Sequence, residues 1–195
     1  MFYKDLLKNN TINHNYNFKF NTKAYVGEVK VSDHIADMNI DKKSTAKNVV
    51  LIIFVDKTNI LIVTEKYGQV GFPAGKLERK IIDDPKTDVP EIKRYEYESE
   101  IEGMIREYEE ESGNKFPNIQ IVKKIVYRKH TAIFIAIAND TIETKLGEHN
   151  DKEIISMQLV DIKTIKLAID DKYPSLPFRT CAKFSTKCVF AYLGI

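Results

Sequence analysis

The sequence predicts one α/β (α+β) domain in which a mixed β-sheet surrounds a single strongly marked helix. Three observations predict it. Short apolar runs such as Val49 to Val55 and Ala132 to Ala138 have the length of buried strands. Between them, residues 99–113 place Ile101, Met104, Ile105 and Tyr108 at helical spacing, i, i+3, i+4 and i+7. A chain of 195 residues without repeat or Pro/Gly-rich linker is long enough for one substantial core and cramped for two.

The elements follow in order. Residues 1–23 are polar and Asn-rich with scattered aromatics and read as an arm within an N-terminal region 1–47. Ala24 to Val31 alternates as a strand, and residues 32–47 read as a loop. Val49–Val55 turns through Asp56-Lys57-Thr58-Asn59 into Ile60–Thr64, a hairpin signal, and Gln69–Phe72 runs into the Pro73-Ala74-Gly75 turn. Ser99 with Glu102 forms a capping box, and Gly113 followed by Pro117 stops the helix. Ile119–Ala138 reads as two strands broken near Lys129-His130, and Glu153–Val160 as another. From Ile162 the pattern turns helical, with a Pro174/Pro177 break and a last amphipathic helix ending near Leu193, so that core 48–165 is followed by a helical segment 166–195.

Composition narrows the class. Hydrophobic residues at 43% and charged residues at 30% are ordinary for a soluble globular protein. No apolar run approaches bilayer length and the N-terminus lacks a signal-peptide core, so a cytoplasmic protein without membrane contact is expected. Cys181 and Cys188 form neither a zinc pattern nor a disulfide framework and read as reduced thiols. The net charge of +2 excludes nothing, but its distribution is informative. Residues 98–113 carry seven Glu against one Arg, whereas Ile119–Thr131 carries Lys123, Lys124, Arg128 and Lys129 with no acid. An acidic patch beside a basic strand suits a polyanionic substrate held partly through a divalent cation.

At ~100° per residue, Glu107, Glu110 and Glu111 occupy an arc of roughly 100°, offset from the apolar stripe. Such carboxylates repel one another in water, and no Lys alternates with them to relieve it. Hard cations such as Mg²⁺ or Mn²⁺ would. Arg106 stands between Glu102 at i−4 and Glu110 at i+4 and can steer a carboxylate without leaving the helix. The competing reading is a solvated acidic face.

Glu98, seven residues, then Arg106-Glu107-Tyr108-Glu109-Glu110-Glu111-Ser112-Gly113 resembles the second part of the Nudix box, in register. Gly71-Phe72-Pro73-Ala74-Gly75-Lys76-Leu77-Glu78 resembles its opening. The chain departs from the pattern in three places. About 17 residues (roughly Arg79 to Tyr95) are inserted between Gly75 and Glu98, reading as a polar loop or small excursion; Asn114 replaces the closing apolar residue; and Gly103 stands where the family favours alanine. The resemblance implies an α/β/α sandwich and hydrolysis of a pyrophosphate bond in a nucleoside diphosphate derivative with Mg²⁺ or Mn²⁺. It implies Glu107, Glu110, Glu111 and the main chain at Gly75 as metal ligands, and Arg106 paired with Glu98 to order the helix. The general base is left open among the box glutamates, Glu148 and Glu153.

For substrate contacts the sequence offers Lys76, Arg128, Lys129 and Tyr127, with Tyr25, Tyr67, Phe72 and Phe178 as further aromatics able to stack on a base. His130 is the one histidine in a strand region, with phosphate contact or an ordinary strand-end position as its two readings. The box opening is also similar to that of mRNA-decapping members, so capped RNA stands as an alternative substrate. A non-catalytic nucleotide- or RNA-binding module is the alternative from another class, and a homodimer is compatible with either.

Overall fold

The computed structural model describes residues 17–22, 25–30, 35–56, 58–82, 94–150 and 152–195. The sequence readings on residues 1–16, on most of the insertion (83–93) and on the side chains of Tyr25 and Cys181 lie outside these described parts. Near the N-terminus, β1 (Asn17–Thr22) and β2 (Tyr25–Lys30) form an antiparallel ribbon.

The main sheet is mixed. It contains β3 (Ile35–Met38), β4 (Asn48–Phe54), β5 (Asn59–Glu65), the short β6 (Val70–Gly71) and β7 (Ala74–Lys76), and later β10 (Ile119–Tyr127), β11 (Thr131–Ala138) and β12 (Ile154–Asp161). Its order is β12-β5-β4-β11-β10-β3, with β6 on β5 and β7 on β4. β4 and β11 run parallel in the centre, Asn48 opposite Thr131 through Phe54 opposite Ile137. The β-branched runs in both strands suit burial on two faces. The strand β3 corrects the reading of residues 32–47 as loop: Ile35–Met38 pairs antiparallel with Tyr127–Lys124. Four residues are too few to show a sequence period, and the pairing comes from β10.

Side chains alternate across the sheet and build two cores. Val49, Leu51 and Ile53 of β4 pack with Ala132, Phe134 and Ala136 of β11 under helix α1 (Glu100–Ser112), which contributes Met104 and Tyr108. Ile52, Phe54, Ile133 and Ile135 face the other way, onto α2 (Ile162–Ile169) and α3 (Thr180–Leu193). Helices on both faces of a mixed sheet make the α/β/α arrangement, each fully buried aliphatic contributing about 1.5–3 kcal/mol.

α1 begins and ends where its caps require. The Ser99 hydroxyl accepts from the Glu102 amide at 3.2 Å, and the Glu102 carboxylate accepts from the Ser99 amide at 2.8 Å. Gly113 takes φ +68° and donates to the Glu109 carbonyl. Glu102 is thus occupied at its own N-terminus, with Lys80 at 3.7 Å, and is not a partner of Arg106.

Of the two readings of the insertion, its described ends fit the small excursion and not the polar loop. Its ends are strands, β8 (Arg79–Ile82) and β9 (Arg94–Tyr97), paired antiparallel from Arg79 opposite Tyr97 to Ile82 opposite Arg94. This ribbon returns the chain beside its point of departure. The Glu98 amide donates to the Glu78 carbonyl at 3.0 Å, and the Glu78 amide to Glu98 Oε1 at 2.8 Å. The segment before the insertion and the helix after it therefore meet as though it were absent.

Candidate functional site

The site forms where β7 passes under α1. Pairing of Val49 with Gly75 fixes β7 at the start of β4, and the second and third turns of α1 lie over it. Gly75 is required by a close approach: a Cβ there would stand 1.8 Å from the Glu107 carboxyl carbon and about 2 Å from both of its oxygens. On the next turn Glu111, which is buried, accepts a hydrogen bond from the Ala74 amide at 3.2 Å.

Arg106 organises these acids. Its Nε and Nη2 fork onto Glu98 at 3.3 and 2.7 Å, Nη2 also lies 2.9 Å from Glu107 and 2.8 Å from the Lys76 carbonyl, and Nη1 reaches Glu110 at 2.8 Å. A guanidinium suits this because it offers several donors in one plane. The surrounding carboxylates, Glu98 foremost, raise its already high pKa further. Glu98 is 5% exposed; burial pushes its carboxyl up, but the bonds from Arg106 and from the Glu78 amide outweigh this and hold it below the usual carboxylate range. Glu107 goes the other way: burial raises its pKa, Arg106 only partly offsets this, and Glu110 and Glu98 add repulsion.

The donor set at this place is all oxygen, the choice of a hard divalent cation, and the cradle over Gly75 keeps a carboxylate pressed against the main chain. Among the described residues, no three acids already converge as a cage. Glu107 and Glu110 are turned to Arg106, and Glu111 to an amide. A cation at this set would draw Glu107 and Glu110 from the guanidinium. That exchange suits residues which otherwise repel one another.

Glu148 lies on a loop docked at the far end of α1. The Gly147 amide donates to the Ser112 carbonyl at 2.8 Å, and a Cβ on Gly147 would strike the Gly113 carbonyl oxygen at 2.1 Å. The Asn114 side chain donates to the Lys145 carbonyl at 2.8 Å. Glu148 itself is exposed and, among the described residues, contacts none of the acids of α1 by hydrogen bond or ion pair. Glu153 is exposed at the start of β12.

Beside Gly75 opens a cleft of about 330 Å³ between the sheet and α3. Gly75 and Lys76 of β7, Asn48 of β4, Thr131 of β11, Tyr127 of β10 and Arg179 before α3 line it. The structure therefore brings Lys76 and Tyr127 together with Gly75. Arg128 and Lys129 are exposed on the adjoining β10–β11 turn, with the Arg128 guanidinium 4.8 Å from the Phe184 ring and 5.4 Å from that of Tyr127. Of the other aromatics, Phe178 is a core residue, Phe72 is a core residue that also lines the cleft, and Tyr67 is 81% exposed.

The basic strand proves not to be one surface. Lys124 is 1% exposed and ion-paired to buried Glu100 beneath the N-terminus of α1, and Lys123 pairs with Asp37 of β3 at 3.0 Å. The missing acids come from elements distant in sequence, so the local charge count could not show them.

Two cleft residues escape a sequence reading. Asn48 begins an apolar strand, and Arg179 is a lone arginine two residues after Pro177. The first binds the His130 carbonyl through its side chain at 3.2 Å. The second pairs with Glu65 at 2.6 Å, with its Nη2 2.9 Å from where a Cβ on Gly71 would be. Only the need for glycine at 71 hints at that seat, and it does not say who occupies it.

The chain is similar to solved Nudix hydrolases. One from Nitrosomonas europaea is 17% identical, with 78% of this chain and 90% of that chain covered and a TM-score of 0.46. A Bacillus subtilis pyrophosphohydrolase is 16% identical over 89% and 95%, TM-score 0.46, and a Caenorhabditis elegans Ap4A hydrolase is 20% identical over 73% and 98%, TM-score 0.42. The likeness is one of fold alone. No protein-family description matches the sequence, and no curated protein does.

Proposed function

We propose that this chain is a Nudix-type pyrophosphohydrolase that cleaves a nucleoside diphosphate linked to a further group, using Mg²⁺ or Mn²⁺. The observation that supports this reading best is the seating of Glu107 on Gly75 beside an open cleft, with Arg106 locking the helix through Glu98. Glu107, Glu110, Glu111 and the main chain at Gly75 are the residues that would hold the cation. When bound, it supplies charge neutralisation at phosphorus and a more acidic water.

The remaining work falls to the chain's own groups. Arg106, through Glu98 and the Lys76 carbonyl, fixes the helix that carries the acids against β7. Lys76, on the cleft wall next to Gly75, balances negative charge on the phosphates. Tyr127 offers a ring to the nucleoside. A carboxylate takes the proton of the attacking water. Burial raises the pKa of Glu107 and so makes its carboxylate the stronger base, and Glu148 stands on the loop docked at the end of α1; these two are the candidates for that proton.

The test is product chromatography with Mg²⁺ and with Mn²⁺ over nucleoside triphosphates, ADP-ribose, NADH, dinucleoside polyphosphates and capped RNA. Turnover of one class that disappears in Glu110→Gln supports the proposal. Tight binding without any turnover, and no rise in melting temperature with millimolar cation, would replace it with the non-catalytic binding module.

A further inference from the structure

The β10–β11 turn is built against backbone preference. Arg128 and Lys129 take φ +49° and +60°, a left-handed pair that hairpin turns normally fill with Asn and Gly. Such strain persists only where surrounding bonds over-determine it. Here they do. Thr45 Oγ1 donates to the Lys129 carbonyl at 3.1 Å, and the His130 carbonyl accepts from the Lys47 amide, the Asn48 amide and the Asn48 side chain at 3.0, 3.1 and 3.2 Å.

What the turn holds out is positive charge. Of the four cations between Ile119 and Thr131, Lys123 and Lys124 are matched by acids and Arg128 lies over the Phe184 and Tyr127 rings. Lys129 is exposed and has no acidic partner among the described residues. Its place is set by register: Lys76 pairs with Asn48, Asn48 with Thr131, and Thr131 with Tyr127. The turn joins β10 to β11, so two to three strand spacings, roughly 10–14 Å, separate Lys76 from it. That distance spans a nucleoside lying across Asn48 and Tyr127, and exceeds the reach of another phosphate on the same pyrophosphate.

We propose that the Arg128–Lys129 turn binds a second phosphate carried on the ribose side of the nucleoside, remote from the scissile bond. The inference rests on the nucleotide-pyrophosphate reading above and narrows it to substrates with a 3′-side phosphate. Two sources share that chemistry: a phosphomonoester on a small nucleotide and the phosphodiester of an RNA 5′ end.

The experiment is calorimetric titration of the full chain with three product-like probes. They are adenosine 5′-monophosphate, adenosine 3′,5′-bisphosphate and a 5′-phosphorylated diadenylate. The wild type should bind at least one of the latter two about tenfold more tightly than the monophosphate, one charge-assisted contact's worth. Preference confined to the bisphosphate identifies the phosphomonoester, and preference extending to the dinucleotide identifies RNA. Lys129→Gly should level the affinities while raising the melting temperature by about 2–4 °C through relief of backbone strain. Lys129→Arg should keep the preference. Equal wild-type affinity for all three probes overturns the proposal, as does a Lys129→Gly variant that retains the preference. Because binding is read without turnover, a preference with no hydrolysis of any substrate removes the hydrolase reading and leaves this one. Hydrolysis without preference does the reverse.

Discussion

The carboxyl group of Glu107 occupies the space that a side chain on Gly75 would need, its carbon 1.8 Å from the Cβ position. Glycine is therefore fixed by what stands over it, since no positive φ is involved. Gly75→Ala should lower kcat by about 100-fold, the scale of a 1 Å misplacement at a reacting centre. It should also diminish any cation-induced rise in melting temperature. Steady-state kinetics beside a metal titration would check both. Full activity in the variant would mean that Glu107 works from another position.

Glu107 is an acid whose burial disfavours its charge. A carboxyl with a raised folded pKa stabilises the protein below its unfolded pKa, and that contribution is lost as pH rises through the folded value. Glu107→Gln, which keeps an acceptor for Arg106, should thus melt higher than the wild type at neutral pH without divalent cation, by a margin that shrinks toward acid. Activity should fall in the same variant. Thermal melts across pH 4 to 8 in a chelator measure the margin; a variant that melts lower at neutral pH would refute the reasoning.

Glu98 shows the opposite sign. Its depressed pKa contributes stability that is full above the unfolded carboxylate value and lost as pH falls through the folded one. Glu98→Gln should flatten the acid limb of the stability curve. Arg106→Ala leaves that buried carboxylate without its fork and should cost about 3–5 kcal/mol in urea unfolding. Arg106→Lys, which restores charge but not the planar donor pair, should fall between.

Gly103 is set by packing as well. A Cβ there would lie 2.4 Å from Leu77 Cδ2 and 3.0 Å from Glu98 Oε1. The gain of ~1 kcal/mol in helix propensity on changing Gly to Ala is opposed by an overpacking cost of about 1–3 kcal/mol. Gly103→Ala should be net destabilising by about 1 kcal/mol, read as a lower urea midpoint. A clear stabilisation would show that Leu77 moves aside freely.

The pair Lys124–Glu100 sits under the start of α1 with the Lys42 carbonyl accepting from the ammonium at 2.6 Å and the Ser44 amide donating to the carboxylate at 3.1 Å. Lys124→Met alone should cost about 3–5 kcal/mol, because it strands a buried carboxylate. The double replacement Lys124→Met/Glu100→Leu should recover most of that loss. A double-mutant cycle in urea would show it, and additive losses would deny the coupling.

Local patterns in the sequence determined the extent of α1. Its ends follow from Ser99, Glu102 and Gly113, and its apolar side includes the buried Met104 and Tyr108; Glu107, Glu110 and Glu111 share one arc by helix spacing. Those features depend on residues within a few positions of each other, where helix geometry leaves little choice. The strands β4, β5, β10, β11 and β12 were legible for the same reason: their apolar runs are long enough to carry a period and are bounded by turns.

Tertiary structure decided what depends on partners distant in sequence. Ile35–Met38 becomes a strand because β10 offers an edge, the insertion closes into a ribbon because Glu78 and Glu98 bond, and Lys124 leaves the surface because Glu100 meets it from the helix. The cleft likewise joins Lys76, Asn48, Thr131 and Tyr127 through strand register and closes them with Arg179 from the far end of the chain. Composition and spacing record which groups a segment carries. Which of them remain free for a ligand is set by the charges and backbone that folding brings against them.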